Sequence, residues 1–229
     1  MGIRIISYSH VEEMNMKTII CFGDTNTWGV DPRTDTRLDF EKRWTGILTK
    51  ELQNEYRVIE EGQAGRTILS DDPVEPYKNG YQYLMPCLDS HRPVDLLIVM
   101  LGTVLLKGRF HQTADDIAIS LEIMLRDVLK TQCGPDGKAP AILLISPIQV
   151  GNVEDTWLKS VFPMSNNRER QKKFRNLYSE IAERLGIDYM AAEDYAKTSA
   201  DGIHIALESH EPFAKAIAEK AREILRRNN

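Results

Sequence analysis

Two stretches of the chain, LLIVML at 96–101 and AILLIS at Ala141–Ser146, are apolar at almost every position, with no polar residue alternating between them. A strand with one wet face alternates, whereas a strand covered on both faces by helices does not. These two runs therefore predict central strands of a parallel sheet. Shorter apolar runs at 18–22, 56–59 and 186–190 lead in the same way into turn residues and then into helix-period segments. Reading 94–101 and 141–146 with them gives five strands in an alternating α/β chain.

The helices follow from apolar spacing. Trp44, Ile47, Leu48 and Leu52 form one stripe, and Ile117, Leu121, Met124, Leu125 and Val128 a second. Phe174, Leu177, Ile181 and Leu185 form a third, and Phe213, Ile217, Ala218 and Ile224 a fourth. Each recurs at three and four residues and is read as a core face. Thr113 before Asp115 and Asp116 is a helix start, and Gly186 after Leu185 a helix stop. The segment CGPDGKAP at 133–140 is a surface turn, and 65–80 and 149–166 are the longest irregular stretches. Loops of that length at strand ends tend to carry binding sites.

A chain of 229 residues without a composition break fits one domain, here expected over 17–229, with 1–16 as an N-terminal extension that need not contain the native start. The formal charge is −5, with Lys and Arg scattered, so nucleic acid and anionic membrane are not expected partners. Arg168, Arg170, Lys172 and Lys173, beside Glu169, read as a solvated helix face. Cys21, Cys87 and Cys133 are far apart and form no C-x-x-C, so their spacing suggests neither a disulfide framework nor a zinc site. Neither a metal nor a cofactor is expected. A reducing cytoplasm is the expected compartment, since the N-terminal stretch is too short and too polar for a secretion signal and no run is long enough to span a membrane.

In an open parallel sheet ligands bind beyond the carboxyl ends of the strands. The residues found there are GDTNTWG at 23–29, GQAGRT at 62–67 and GTVLLK at 102–107, with DGIH at 201–204 ahead of the last helix. Each block alone is an ordinary turn. Their order at successive strand ends points to one site.

These blocks resemble the SGNH, or GDSL, hydrolase family, in particular the branch of small esterases and acyltransferases whose first block reads like FGDSNTWG. The likeness runs through FGDTNTWGVDPRTDTR, RWTGIL, VIEEGQAGRT, DDPVEPYKNG, CLDSHRPVDLLIVMLGT and DGIHI. It implies a three-layer α/β/α fold with a flavodoxin-like, doubly wound five-stranded sheet. It also implies a Ser-His-Asp mechanism, in which an imidazole takes the proton of a high-pKa hydroxyl and a carboxylate fixes the imidazole's tautomer. Carried over by position, His204 is the base, Asp201 its orienter, and Gly65 an oxyanion donor beside the backbone amide of the nucleophile. The serine position holds Thr25. The asparagine that would be the third oxyanion donor is Val104, while Leu105 and Ala64 replace a customary aspartate and asparagine.

Threonine keeps the hydroxyl but crowds it with a methyl, and valine donates nothing. Two readings stay open: a hydrolase or acyltransferase of small carboxylic esters using Thr25, or a catalytically silent relative that binds a small acyl or carbohydrate-like ligand in the same cleft or serves as an assembly component. Cys21, Ser70 and Ser146 lack the turn context of a nucleophile. Trp28, Phe110, Trp157, Phe162 and Met164 are expected to border the acyl pocket, though each could equally be local packing. The family likeness also implies a homo-oligomer, with 157–164 as a candidate contact.

Overall fold

The computed structural model of the protein describes residues 16–53 and 55–227, without the side chains at 164–166 and 168. The extension expected over 1–16 lies outside the described residues except for its last position. Seven strands are present: β1 (Lys17–Gly23), β2 (Val30–Asp31), β3 (Thr36–Arg37), β4 (Tyr56–Gly62), β5 (Leu96–Met100), β6 (Ala141–Ser146) and β7 (Asp188–Ala191). The helices are α1 (Thr25–Trp28), α2 (Trp44–Glu51), α3 (Gly80–His91), α4 (Ala114–Val128), α5 (Met164–Lys172), α6 (Phe174–Leu185) and α7 (His210–Arg227).

Five of the strands form one parallel sheet in the order β4-β1-β5-β6-β7, and β2 and β3 make a separate antiparallel pair. Counting the large-sheet strands alone, this is the 2-1-3-4-5 order of a flavodoxin-like fold, whose switch point lies between β1 and β5. Side chains of successive strand residues point to opposite faces. Ile20, Phe22, Leu97, Val99, Ile142 and Leu144 thus pack with α3, α4 and α6, while Ile19, Cys21, Leu96, Ile98, Leu143 and Ile145 pack with α2 and α7. Two buried cores sandwich the sheet, which is the three-layer arrangement the unbroken apolar runs require.

Helix punctuation is as expected at two ends. Thr113 accepts a hydrogen bond from the Asp116 amide, and the Asp116 carboxylate accepts one from the Thr113 amide in return, a capping box. Gly186 closes α6 at a φ of 64°. That cap moves the start of the last strand to Asp188, two residues later than the expected run at 186. The central run narrows likewise: Val94 and Asp95 precede β5, and Leu101 follows it.

The short helix α1, the β2–β3 pair and helix α3 were not in the sequence reading, and Arg170 departs from it. Helix α3 has a short buried stripe of Leu84, Cys87 and Leu88 interrupted by Pro86, too brief for its period to stand out. Arg170, expected on a solvated face, instead turns inward and donates to the carbonyls of Gln112 and Leu106 and to the Asn167 side chain. Its Lys172 neighbour does remain outside, paired with Glu169. None of the described helices is long and apolar enough to cross a membrane.

Candidate active site

Gly23 ends β1, and the chain turns at once into α1, so Thr25 stands at the first helical position beyond the sheet edge. Asp24 caps this helix by accepting a hydrogen bond from the Asn26 amide at 3.0 Å. The Thr25 amide itself has no acceptor in the protein among the described residues, as expected for the first amide of a helix. Asn26 then fastens the turn to the far end of the site. Its side-chain amide donates to the Ile203 carbonyl at 3.2 Å, and its side-chain oxygen accepts from the Ile205 amide at 2.9 Å. Asn26 is buried, so these two bonds hold α1 and the 201–205 loop in register.

In that loop the His204 Nδ1 lies 2.6 Å from Asp201 Oδ2, while Asp201 Oδ1 accepts from the amides of Ile203 and His204 at 2.8 and 2.9 Å and from the Ser199 hydroxyl at 2.7 Å. Burial alone would raise the Asp201 carboxyl. The hydrogen bond and charge of His204, together with the two amides, outweigh it and hold the group at about 2. Asp201 is thus ionised at any pH well above 2, and an ionised partner on Nδ1 leaves Nε2 as the nitrogen free to take a proton.

Gly65 follows β4 with a φ of 80°, a conformation that L side chains rarely adopt, and a Cβ there would come within 2.7 Å of Glu75 Oε2. Its amide donates to the Thr25 hydroxyl at 3.2 Å. The block after β5 begins at Gly102, whose φ of 123° turns the chain into a single 3-10 turn, Thr103–Leu106. Val104 in that turn is buried and contributes its isopropyl group to the wall.

Thr25, Gly65, Val104 and His204 line one cavity of about 210 Å³. Asp201 stands behind His204, outside the lining. Small-molecule sites commonly run to about 300–1,000 Å³, so this one suits a short acyl group. A larger open groove of about 880 Å³ lies between Arg109, His111 and Gln112 on one side and Val161, Pro163 and Lys173 on the other. Its hydroxyls are engaged elsewhere, Thr113 in the capping box and Ser160 on the Trp157 carbonyl at 3.2 Å, and among the described residues neither is hydrogen-bonded to His111, which also lines the groove.

Of the expected pocket borders, Trp157 and Phe162 line the cavity. Trp28 instead stacks under the Arg37 guanidinium, and Phe110 under that of Arg109, both off the cavity wall. The side chain of Met164 lies outside the described residues. Cys21 is fully buried in β1, and burial, with the Glu60 charge behind it, raises its thiol far above the usual range, so it is inert. Ser146 is buried and hydrogen-bonded to the Tyr189 hydroxyl at 2.9 Å, and Ser70 accepts from Gln112 at 2.8 Å. Neither touches the cavity.

Sequence reading missed the charged rim. Lys107 donates to Glu75 at 2.9 Å, and Arg109 bridges Asp72 and Glu75 at 2.5 and 2.6 Å, while Lys78 donates to the Ala64 carbonyl at 2.8 Å. Glu75, Lys78 and Lys107 also line the cavity. These contacts strap the loop after Gly65 to the segment after Val104, fixing both strand-end blocks at the mouth. The partners are more than thirty residues apart for Lys107 and Arg109, which leaves no local signature.

An Asp-His pair whose imidazole shares a cavity with a hydroxyl at the head of a flavodoxin-like sheet is an arrangement suited to acyl hydrolases. Solved structures with this fold include esterases. The chain is similar to an aryl esterase from M. smegmatis, at 33% identity over 91% of this chain and 99% of that one, with a TM-score of 0.85. It is equally similar to Est24, a carbohydrate acetylesterase from Sinorhizobium meliloti, at 34% identity over 91% and 99% of the two chains and a TM-score of 0.84. A third structure, a putative arylesterase from Agrobacterium tumefaciens, shares 31% identity over 91% and 100%, with a TM-score of 0.83. Neither a protein-family model nor a curated protein matches the chain. The chain belongs to the SGNH/GDSL-type hydrolase family.

Proposed function

We propose that the protein is an ester hydrolase of small carboxylic esters, aryl or acetyl esters foremost, with Thr25 as nucleophile, His204 as base and Asp201 as orienter. The observation that carries this reading is the convergence of the Thr25 hydroxyl and His204 on one small cavity, with His204 backed by Asp201 at 2.6 Å. The Thr25 oxygen attacks the ester carbonyl and gives its proton to His204 Nε2. The amides of Thr25 and Gly65 stabilise the oxyanion. The alcohol leaves with the proton from His204, and water, or an acceptor alcohol in an acyl transfer, releases the acyl group from Thr25 by the same steps in reverse.

A second reading, a silent binder of a short acyl or carbohydrate-like ligand, is favoured by Val104, which puts a methyl-bearing wall where a third donor would serve the oxyanion. Hydrolysis of short-chain nitrophenyl esters separates the two. Turnover by the unaltered protein that vanishes in His204→Ala and Thr25→Ala supports the enzyme. Saturable ligand binding without turnover, converted to turnover by Thr25→Ser with Val104→Asn, supports the binder. The three free cysteines fit a reducing cytoplasm, and Trp157, two-thirds exposed at the cavity edge, fits a contact with a second copy of the chain.

A further inference from the structure

Glu61, Cys87 and His91 offer one donor atom each, a carboxylate oxygen, a sulfur and an imidazole nitrogen, and these atoms all lie within 4.8 Å of one another. None of the three lines the catalytic cavity. We infer that they form a binding site for a single zinc ion that clamps α3 to the edge strand β4.

The three donors can take three corners of a tetrahedral site. Cys87 and His91 are four residues apart on α3 and therefore share one face, one turn apart. Glu61 reaches them from the penultimate residue of β4. Its Oε1 stands 3.4 Å from His91 Nε2. Two ligands at zinc bond lengths of about 2.0–2.1 Å, separated by a tetrahedral angle, lie about 3.3 Å apart. The other carboxylate oxygen, Oε2, accepts a hydrogen bond from the Tyr83 hydroxyl at 3.0 Å, which turns Oε1 toward the imidazole. Ligating carboxylates are oriented by such outer partners.

The donor set selects the ion. Thiolate with imidazole and a carboxylate suits zinc, whereas calcium and magnesium take oxygen alone. Cys87 is buried and His91 half-buried, so the inner side of the site is closed and the fourth position opens outward to water. On binding, the Cys87 thiol releases its proton to solvent as the S–Zn bond forms. Arg66 is a positive charge close enough to act on the Cys87 thiol. Its guanidinium stacks over Phe22 and Tyr83, with centroid distances of 4.1 and 5.2 Å, and donates to the carbonyls of Glu61 and Gly23. An ion joining Glu61 to Cys87 and His91 would tie α3 to the strand end from which the Gly65 loop departs, against the repulsion of Arg66.

The test uses the full chain stripped of metal by a chelator and titrated with cobalt(II), then with zinc(II). One equivalent of cobalt should give a thiolate-to-metal charge-transfer absorption and the visible bands of a tetrahedral ion, both displaced by zinc, and Cys87→Ser should lack the charge-transfer band. Since Cys87 is buried and its replacement could impair folding, His91→Gln serves as the second variant. It should fold normally, lose zinc affinity on the order of 100-fold, the upper end of what even outer partners contribute, and lose the zinc-dependent rise in thermal midpoint. No charge-transfer band with the unaltered protein, or the same zinc affinity in His91→Gln, overturns the site. Ester turnover plays no part in the readout.

Discussion

The Gly65 amide donates to the Thr25 hydroxyl at 3.2 Å. A donor intended for the oxyanion thus rests on the nucleophile itself. In the mechanism proposed above, an entering carbonyl draws this amide to the developing negative charge, and the Thr25 proton passes to His204. With no donor on the Val104 side chain, that mechanism leaves the amides of Thr25 and Gly65 as the hole.

Restoring a third donor should therefore have a large effect. Loss of one side-chain donor from an oxyanion hole lowers turnover by about 10²–10³, and Val104→Asn should raise kcat on nitrophenyl acetate by an amount approaching that, with KM little changed. Thr25→Ser should add a smaller gain by removing the methyl that crowds the tetrahedral carbon. Steady-state kinetics of the two single variants and the double variant would measure both. An unchanged kcat in Val104→Asn would mean that position 104 does not face the oxyanion.

Asp201 yields a prediction with a pH signature. Held at about 2, it stays ionised across the working range, so it should contribute no limb to the pH–rate profile above about pH 3. Asp201→Asn removes the charge and permits the wrong imidazole tautomer, which should lower kcat by roughly 10³–10⁴. Asn26→Ala should act through position instead, since it releases both bonds between α1 and the 201–205 loop. A loss in kcat that is recovered in Asn26→Asp only in part would separate this positioning role from simple instability.

The central sheet was legible because residues 96–101 and 141–146 have no polar side to hide, and Thr113 and Gly186 mark helix ends through local hydrogen bonding. The residues that meet at the small cavity, Thr25, His204 and, behind it, Asp201, were legible because each follows directly on a strand or a turn. The charged rim was not, because Asp72 and Glu75 find Arg109 and Lys107 only after the sheet has brought two loops together. Helix α3 escaped notice because Pro86 interrupts its stripe, and the ligand set proposed on it because Cys87 and His91 acquire meaning only beside Glu61, from a strand that is distant in sequence. Trp28 and Phe110 went the other way, since an aromatic near a strand end in sequence can turn outward to meet an arginine.

His210 ties acid sensitivity to the α2–α7 face. It is buried at the start of α7, its Nδ1 accepts from the Trp44 amide at 3.1 Å, and its Nε2 has no partner among the described residues. Burial pushes its pKa down to about 4. The folded state keeps this imidazole neutral between about pH 6.5 and 4, while the unfolded state binds a proton there, so stability falls as pH drops through that window. The loss should reach about 3 kcal/mol once both states are protonated. Urea unfolding of the protein and of His210→Gln over this range checks it, and the variant should show the flatter curve.

Asp24 should shape the other side of the profile, with the opposite sign. It is buried beneath Thr25, one carboxylate oxygen has no partner, and burial raises its pKa to about 6 in spite of the Asn26 amide and the nearby charges of His204, Arg66 and Lys107. A carboxyl raised in the folded state favours folding below its unfolded pKa, and that contribution is lost as pH rises through about 6. At neutral pH the fold therefore carries an ionised carboxylate that burial opposes. Asn is as good a helix cap as Asp, so Asp24→Asn should keep the bond to the Asn26 amide and raise stability at pH 7 by roughly 1–3 kcal/mol, with little change at about pH 4. Thermal unfolding at the two pH values distinguishes this from a generic effect: equal gains at both would point away from the charge. A fall in kcat in the same variant would show that the Asp24 charge, close enough to His204 to influence it, also serves the imidazolium formed when Thr25 gives up its proton, and that the protein tolerates a costly buried carboxylate for its chemistry.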